Sequence, residues 1–395
     1  MARRNGGFIG TDGLDAPDPP TGVSASGVDG QASVFFTAPT DTGTSAITGF
    51  VAQVASSGDN YSAGSNTGTS SPIAVSSLSN GTSYTAKVWA INAYGTSAPS
   101  DASAAFSPAA SSAFFAGGRN QDGSVINVIS SISMPSSSNA SDFGDLTTSR
   151  RGVGGIGSST RGVFSGGASS NVMDYITFAS AGNATDFGDL SYSNVTGSVN
   201  NATRGVNIDI NNTVTMEYIT IASTGNATDF GDRSASISDA STCGSSTRGI
   251  MAGNSESNEI QYITIATTGD TTDFGDISFG NNPYLMAGSS NSTRGVFGGG
   301  YSNSSPNILN IIQYITIAST GNSTDFGDLT LARSTCFGAA NATKALFAGG
   351  ENASNLEYNV IDFVTISSTG NATDFGDLTE DTKQAAGTSN AHGGL

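Results

Sequence analysis

The sequence contains few of the residues on which catalytic centres and disulfide frameworks depend. Cysteine occurs only at Cys243 and Cys336 among 395 residues, so no disulfide framework is expected. The only histidine is His392, which disfavours a histidine-based triad and a histidine-rich metal site. These absences favour a non-enzymatic protein, and no catalytic residue, metal ligand or cofactor is predicted.

Long apolar runs and basic charge are also lacking. No apolar stretch approaches 18 residues, so no transmembrane helix is expected. The first ten residues contain Arg3 and Arg4 but no apolar segment, so no secretory signal peptide is expected. Fourteen basic residues against 32 acidic ones give a formal net charge of −18, which argues against a nucleic-acid partner.

Glycine is abundant, together with serine, threonine and asparagine. The chain has 52 glycines, nearly twice the average share of about 7%. Short stretches alternate between apolar and polar residues and end at Gly, Asn, Asp or Ser, a pattern typical of β-strands. The sequence therefore predicts an all-β protein with three segments: a leader (1–14), a β domain (15–107) and a repeat array (108–395).

The leader combines glycines with two basic and two large apolar residues. It is predicted either as a flexible tail or as an anchor peptide that becomes ordered against a partner. In the second case Arg3, Arg4, Phe8 and Ile9 are the candidate contacts.

Residues 15–107 resemble a fibronectin type III domain. Pro19 to Val23 corresponds to the entry into the first strand, and Phe36 stands in the second strand where the family usually has tryptophan. Residues 78–84 match the turn and the tyrosine of the family's tyrosine corner, and residues 90–100 match the region before the last strand. The resemblance implies a sandwich of two antiparallel sheets.

The strand that follows Tyr84 presents a candidate contact surface. Alternation directs Tyr84, Ala86, Val88 and Ala90 inward, and Lys87, Trp89 and Ile91 outward. An outward Trp89, the only tryptophan of the chain, is a candidate partner contact together with its two neighbours. The alternative is that the indole lies flat on its own sheet.

The rest of the chain repeats a pattern. The tetrapeptide Asp-Phe-Gly-Asp occurs six times, starting at Asp142, Asp186, Asp229, Asp273, Asp325 and Asp374. Five of the six have an aromatic residue eleven positions earlier, at Tyr175, Tyr218, Tyr262, Tyr314 and Phe363. Upstream of these lie strands that begin with Arg-Gly, at Arg161, Arg204, Arg248 and Arg294. One copy thus predicts four strands: the Arg-Gly strand, the aromatic strand, the Asp-Phe-Gly-Asp strand and a variable strand of small residues.

This unit has the size of a propeller blade. Successive motifs are 44, 43, 44, 52 and 49 residues apart, and the extra residues fall between the Arg-Gly and aromatic strands. Double glycines such as Gly166-Gly167 resemble kelch repeats, although no kelch-type tryptophan follows. The sequence predicts a six-bladed kelch-like β-propeller over 108–395. Residues 388–395 imitate the start of another Arg-Gly strand and are expected to lie beside the first blade and clasp the ring.

The repeated acidic residues allow several interpretations. A kinase is excluded because the Asp-Phe-Gly motif occurs six times without a catalytic-loop motif. Asp186 and Asp189 are predicted to cap turns through backbone N–H groups or to pair with an arginine such as Arg204 or Arg248. Calcium binding is a weaker alternative, because two carboxylates per copy are sparse for this ion.

Two other recurrent features have structural interpretations. Asn183, Asn226, Asn322 and Asn371 fit the glycosylation sequon, but Gly-Asn also favours a tight turn, and Gly269-Asp270 keeps the turn while losing the sequon. The two cysteines fall in variable strands of copies that are two apart, so we expect small buried residues rather than a disulfide.

As a whole, the chain resembles virion structural proteins of tailed phages of marine cyanobacteria. The residues that carry this resemblance are the leader, the fibronectin-like domain that begins near Asp15, and repeats such as residues 314–329. The resemblance implies a component exposed on the virion, bound to other virion proteins through its N-terminal region and present in several copies.

We expect a tail, tail-fibre or baseplate protein that attaches to the host surface, with polysaccharide as a candidate receptor. A capsid decoration protein is one alternative. A glycan-cleaving propeller is another, but it needs two carboxylates about 5–10 Å apart and no unique pair stands out.

Overall fold

The predicted all-β class is confirmed. The computed structural model describes residues 15–209, 214–234, 239–279 and 281–394, and these residues form β-strands without any helix. Consequently no helix capable of crossing a membrane occurs within the described ranges. The chain divides into two units, after Ala110, whereas the sequence predicted the boundary after residue 107. Arg3, Arg4, Phe8 and Ile9 of the predicted anchor lie outside the described residues.

The first unit contains two antiparallel sheets. Its strands are β1 (Thr21–Val28), β2 (Gln31–Thr37), β3 (Ile47–Ala55), β4 (Gly64–Gly68), β5 (Ile73–Ser76), β6 (Thr85–Asn92) and β7 (Gly95–Thr96). The sheets have the strand orders β1-β2-β5 and β4-β3-β6-β7. Along β6 burial alternates as predicted, with Ala86, Val88 and Ala90 fully buried in the core. The Ser79 N–H donates to the Tyr84 hydroxyl over 3.0 Å, a contact of the kind predicted for a tyrosine corner.

A ladder of three serines covers the edge of β6 beyond β7. Ser97, Ser100 and Ser103 recur every third residue and are all buried. The Ser100 N–H donates to the Val88 carbonyl over 3.0 Å, and the Val88 N–H donates to the Ser100 hydroxyl oxygen over 2.9 Å. Ser97 and Ser103 make the same two bonds with Ala90 and Ala86. The serines therefore satisfy the backbone of β6 without forming a regular strand.

The second unit contains six four-stranded antiparallel sheets. Sheet 1 consists of β8 (Ser112–Ala116), β10 (Val128–Ser133), β11 (Ser141–Asp145) and β33 (Ala386–Ser389). Sheet 2 consists of β12 (Gly154–Gly157), β13 (Arg161–Ser165), β14 (Val172–Thr177) and β15 (Thr185–Asp189). Sheet 3 consists of β16 (Val195–Asn200), β17 (Arg204–Asp209), β18 (Thr215–Thr220) and β19 (Thr228–Asp232). Sheet 4 consists of β20 (Ser241–Gly244), β21 (Arg248–Ala252), β22 (Glu259–Thr264) and β23 (Thr272–Asp276). Sheet 5 consists of β24 (Ala287–Ser290), β25 (Arg294–Gly298), β26 (Ile311–Thr316) and β27 (Thr324–Asp328). Sheet 6 consists of β28 (Phe337–Ala340), β29 (Lys344–Ala348), β30 (Val360–Thr365) and β31 (Thr373–Asp377). The short strands β9 (Arg119–Asn120) and β32 (Thr382–Lys383) pair with each other.

The sheets begin one strand earlier than the sequence copies. The variable strand that follows each Asp-Phe-Gly-Asp pairs with the next Arg-Gly strand, so it belongs to the following sheet. Sheet 1 therefore lacks such a strand before β8, and β33 supplies it, with Ala386 opposite Ala116 and Ser389 opposite Ala113. The C-terminal tail thus lies beside the first sheet as predicted. It takes the place of a variable strand, and the prediction that it imitates an Arg-Gly strand is wrong.

The variable strand of each sheet, which is β33 in sheet 1, is the innermost one. These strands contact one another in the order β12, β16, β20, β24, β28 and β33, and β33 also contacts β12. Small residues allow this approach. A Cβ atom on Gly288 would lie 2.2 Å from the Thr242 carbonyl oxygen. A Cβ atom on Gly338 would lie 2.5 Å from the Gly288 carbonyl oxygen. The apolar cores lie between successive sheets, for example around Phe326 and Phe347.

Candidate functional site

The Asp-Phe-Gly-Asp strands join each sheet to the next. In sheet 5, Phe326 is buried, and its carbonyl accepts a hydrogen bond from the Gly370 N–H of sheet 6 over 2.8 Å. The Asp328 N–H donates to the Asn371 side-chain oxygen over 3.1 Å. The turn of the next sheet thus covers the free edge of the outermost strand, which blocks unwanted strand pairing.

The same bond recurs around the whole unit. The second aspartate of every motif donates its N–H to an Asn or Asp side chain of the following sheet, in the pairs Asp145–Asn183, Asp189–Asn226, Asp232–Asp270, Asp276–Asn322, Asp328–Asn371 and Asp377–Asn139. The last pair connects sheet 6 to sheet 1. The sequon asparagines therefore hold adjacent sheets together. They lie in seven-residue connections such as 178–184, so the predicted tight turn at Gly-Asn is wrong. These bonds use the backbone N–H of the second aspartate, and turn capping by the aspartate side chains stays a prediction.

The first aspartate of each motif points to solvent. Asp142, Asp186, Asp229, Asp273, Asp325 and Asp374 are all exposed. No group of three or more His, Cys, Asp or Glu side chains in the described ranges is arranged to hold a metal ion.

The arginines of the Arg-Gly strands lie over aromatic rings. The Arg294 guanidinium is 4.2 Å from the centroid of the Tyr314 ring, and it donates to the Ile366 carbonyl of the next sheet over 2.9 Å. Arg161, Arg204 and Arg248 make equivalent contacts, with Tyr175, Tyr218 and Tyr262 as ring partners. Lys344 replaces arginine in sheet 6 and donates to Met134 of sheet 1. Arg204 and Arg248 thus bind backbone carbonyls, in contrast to the predicted pairing with aspartate.

Buried ion pairs were not predicted, and two of those in the described residues share one arrangement of an arginine and an aspartate. Arg333 and Asp362 are both fully buried, and the Arg333 Nη2 lies 3.0 Å from the Asp362 carboxylate. Arg150 and Asp174 form the equivalent pair between sheets 1 and 2. Burial lowers the pKa of Arg150, and Asp174 opposes this shift. Both arginines end a Leu-Thr-x-x-Arg segment that directly follows an Asp-Phe-Gly-Asp motif, and in both cases the next aromatic strand contains the aspartate. This pattern was the signal in the sequence that could have predicted the two pairs.

A ring of residues surrounds one end of the axis formed by the innermost strands. Each sheet contributes one residue, which lies just before its innermost strand. The six residues are Gly152, Asn194, Asp239, Leu285, Thr335 and Gln384, and each lies two positions before the strand, except that Asn194 of sheet 3 lies one position before it. All six have φ between 56° and 73°. Backbone bonds of 2.7–3.1 Å link five of them in the order Asp239, Leu285, Thr335, Gln384 and Gly152. We call this ring the mouth. The sequence did not reveal it, because its members share a backbone conformation but no residue type.

The mouth opens on a cavity of about 270 Å³. Its floor is apolar and consists of the next residue of each sheet: Val153, Val195, Ala240, Met286, Cys336 and Ala385. Polar side chains of Arg151, Asn194, Asp239, Thr335 and Gln384 line its wall. Arg151 donates to the Gln384 side-chain oxygen over 2.9 Å. Burial raises the pKa of Asp239.

The C-terminal tail occupies the opposite end of the axis. His392 lies with its Nε2 atom 2.8 Å from the Gly157 carbonyl, while its Nδ1 atom accepts the Gly394 N–H over 3.0 Å. This arrangement fits the neutral imidazole with its proton on Nε2. Burial lowers the pKa of His392, and the bond to Gly157 opposes that shift. The Gly393 N–H donates to the Ser290 carbonyl, so the tail contacts several innermost strands.

The two ends of the second unit carry different connections. Turns between the innermost and Arg-Gly strands lie at the tail end, and all five have three residues (158–160, 201–203, 245–247, 291–293 and 341–343). Loops between the Arg-Gly and aromatic strands lie at the mouth end and reach twelve residues at 299–310 and eleven at 349–359. The large exposed apolar side chains of the described part of this unit are Val125, Phe279, Leu331 and Leu356, all on mouth-end loops.

In the first unit, the predicted contact Trp89 packs against Tyr61 of the loop between β3 and β4. The two ring centroids are 6.3 Å apart in an edge-to-face arrangement, and the Lys87 ammonium lies over the Tyr61 ring, 4.7 Å from its centroid. Lys87 also pairs with the exposed Asp59 over 3.3 Å. Lys87, Trp89 and Ile91 are half-buried. Trp89 thus packs against a loop residue and keeps part of its surface exposed, and its role as a partner contact stays a prediction.

The two cysteines are free and buried. Cys243 lies in β20, whereas Cys336 immediately precedes β28. Burial raises the pKa of both thiols.

No protein-family model and no curated protein matches the chain. Among solved structures, the crystal structure of domains A168-A170 from titin aligns at 28% sequence identity with a TM-score of 0.22. The alignment covers 24% of this chain and 33% of the titin chain, so the similarity spans about a third of that protein fragment.

Proposed function

We propose that this protein is a non-enzymatic virion structural protein that attaches to the particle through its N-terminal region and binds the host surface with its second unit. In this proposal the second unit is a closed six-bladed kelch-like β-propeller. The succession of contacts from β12 through β28 to β33 and back supports the closure. The first unit is proposed as a fibronectin type III-like sandwich, supported by its two strand orders and by the Tyr84 contact.

The difference between the two ends of the second unit carries the binding proposal. At the tail end the connections keep a constant length: three residues between the innermost and Arg-Gly strands, and seven between the aromatic and Asp-Phe-Gly-Asp strands, as at 178–184. Loops of up to twelve residues and four exposed apolar side chains are instead concentrated at the mouth end. Binding residues lie preferentially on loops held by a rigid scaffold, and exposed apolar side chains are common at contact surfaces. The mouth end is therefore the proposed receptor-binding face.

The virion assignment rests on the resemblance of the leader, the first unit and the repeats to phage structural proteins. Its test is electron microscopy of purified particles labelled with an antibody against the second unit. Label at the tail is expected. Label spread over the head would replace attachment with capsid decoration, and a high copy number on gels would agree with that outcome. Unlabelled particles would refute the virion assignment, provided that the antibody binds the native protein.

The binding face has its own test. Purified protein should compete with particles for host cells and reduce adsorption. Replacing Leu356 and Phe279 with aspartate should weaken this competition because it places charge on the proposed contact face. A matched control is Ser180→Asp, which adds charge to an exposed turn at the tail end. Equal loss in both variants would contradict the assignment of the mouth end.

A further inference from the structure

We infer that the mouth cavity binds one neutral sugar ring. This inference rests on the proposed attachment function and deepens it, since it identifies the chemical class that the binding face would recognise. Three features of the cavity support it: its size, the arrangement of its apolar and polar walls, and its preorganised backbone. The net charge of the whole protein narrows the ligand further to a neutral sugar.

The size limits the ligand to a small molecule. Sites for drug-sized ligands measure about 300–1,000 Å³. The mouth cavity, at about 270 Å³, lies just below that range. A single sugar ring fits such a volume, whereas further rings of a glycan would have to extend outward between the long loops.

The walls match the two kinds of surface on a sugar. Val153, Val195 and Met286 belong to the apolar floor, which suits the C–H face of a pyranose. The polar wall offers donors from Arg151 and Asn194 and acceptors from Asp239, and the Arg151–Gln384 bond holds the guanidinium in place. Hydroxyl groups both donate and accept, so a polyol can use a wall of this mixed composition.

The mouth is also preorganised. Backbone hydrogen bonds fix five of its six members relative to one another, and each member lies on the entry to a strand. A site of this kind loses little conformational entropy when it binds a ligand.

Charge distinguishes neutral sugars from acidic ones. The protein carries a formal net charge of −18, which repels sulfated sugars and uronic acids. Arg151 and Asp239 contribute one charge of each sign to the cavity wall, so the wall itself does not favour an anion.

The inference is tested by NMR titration of the full chain with methyl glycosides of glucose, galactose and mannose, and with glucuronate. At least one neutral glycoside should shift the methyl signals of Met286 and Val153, and glucuronate should bind more weakly. Asp239→Asn should lower the affinity about tenfold, because it removes one charged hydrogen-bond partner. Asparagine tolerates positive φ, so this variant keeps the backbone of the mouth. The control is Asp122→Asn, an exposed aspartate on a mouth-end loop of sheet 1.

Each outcome bears on the inference. Absence of shifts with every neutral glycoside, or stronger binding of glucuronate, would overturn it. So would equal losses in Asp239→Asn and Asp122→Asn. If these failures occurred while antibody still labelled the tail and the protein still blocked adsorption, the sugar inference would fall and the attachment proposal would stand. If the protein bound a neutral sugar but were absent from particles, the sugar inference would stand and the attachment proposal would fail.

Discussion

Glycine in the Asp-Phe-Gly-Asp motif is required by the neighbouring sheet. Gly327 has φ of 150°, and a Cβ atom there would lie 2.4 Å from the Gly370 carbonyl oxygen of sheet 6. The glycine of the motif is therefore explained by the close approach of the neighbouring sheet, without a kinase function. The repetition of the motif could be predicted from the sequence. The neighbouring atom that leaves no room for a Cβ at each glycine could not be predicted.

We predict that Gly327→Ala destabilises the second unit more than Gly321→Ala. Gly321 has nearly the same φ of 154°, but its Cβ would meet nothing within 4 Å. The backbone strain is thus matched, and the difference isolates the steric overlap, which we expect to cost about 1–3 kcal/mol. Urea unfolding measures it as a lower midpoint. Equal midpoints in the two variants would contradict the steric role.

The buried ion pair of sheets 5 and 6 gives a second prediction at this scale. Asp362→Ala should destabilise the protein by about 3–5 kcal/mol, because Arg333 would remain buried without a compensating charge. Replacing both residues, in Arg333→Met with Asp362→Leu, should recover a large part of this loss. The exposed Asp381 supplies the control variant Asp381→Ala, for which unfolding should change by less than about 0.5 kcal/mol. A double variant no more stable than Asp362→Ala would contradict this account.

At the scale of the element, the serine ladder shows a structure that strand periodicity does not predict. The spacing of Ser97, Ser100 and Ser103 is three, whereas the strand that they cover has a period of two. Alternation predicted the buried face of β6 correctly, because that pattern follows from local geometry. The serines form hydrogen bonds with the backbone of β6 although they lie in no regular element, so only the tertiary structure showed these bonds.

We predict that Ser100→Ala destabilises the first unit by about 1–3 kcal/mol, because the buried Val88 N–H loses its acceptor. Differential scanning calorimetry of the full chain provides the measurement, with the transition of the second unit as an internal reference. The control is Ser107→Ala, since Ser107 is exposed. Unchanged unfolding in Ser100→Ala would show that the hydroxyl contributes nothing.

At the scale of the whole molecule, the C-terminal strand completes sheet 1. Deletion of residues 386–395 removes β33 and exposes the apolar edge of β8, including Phe114 and Phe115. We therefore expect loss of cooperative unfolding in the second unit. Deletion of 391–395 keeps β33 and removes the tail contacts with Gly157, Asn200 and Ser290, so it should lower the melting temperature but keep a single transition. If both deletions unfolded alike, β33 would have no special role.

The buried tail also predicts an acid-sensitive stability. The pKa of His392 is lowered in the folded protein, so the unfolded chain binds a proton first as pH falls below its usual value of about 6.5. Stability is therefore present above that pH and decreases on acidification, by at most about 1.4 kcal/mol per pH unit. Urea unfolding between about pH 7.5 and 5 should show a weaker pH dependence in His392→Gln than in the natural protein. Identical slopes would contradict this assignment, since His392 is the only histidine.

The sequence by itself determined the all-β class, the sixfold repetition and the inward face of β6, because alternation and turn residues act within a few positions along the chain. The tertiary structure decided how strands are grouped into sheets, since pairs such as Ala386 with Ala116 join residues far apart in sequence. It also decided the partners of the motif aspartates and the composition of the mouth. Each sheet contributes one residue to that ring, and what the six share is a backbone conformation imposed by contact with the neighbouring sheets. Such a conformation leaves no common residue type in the sequence.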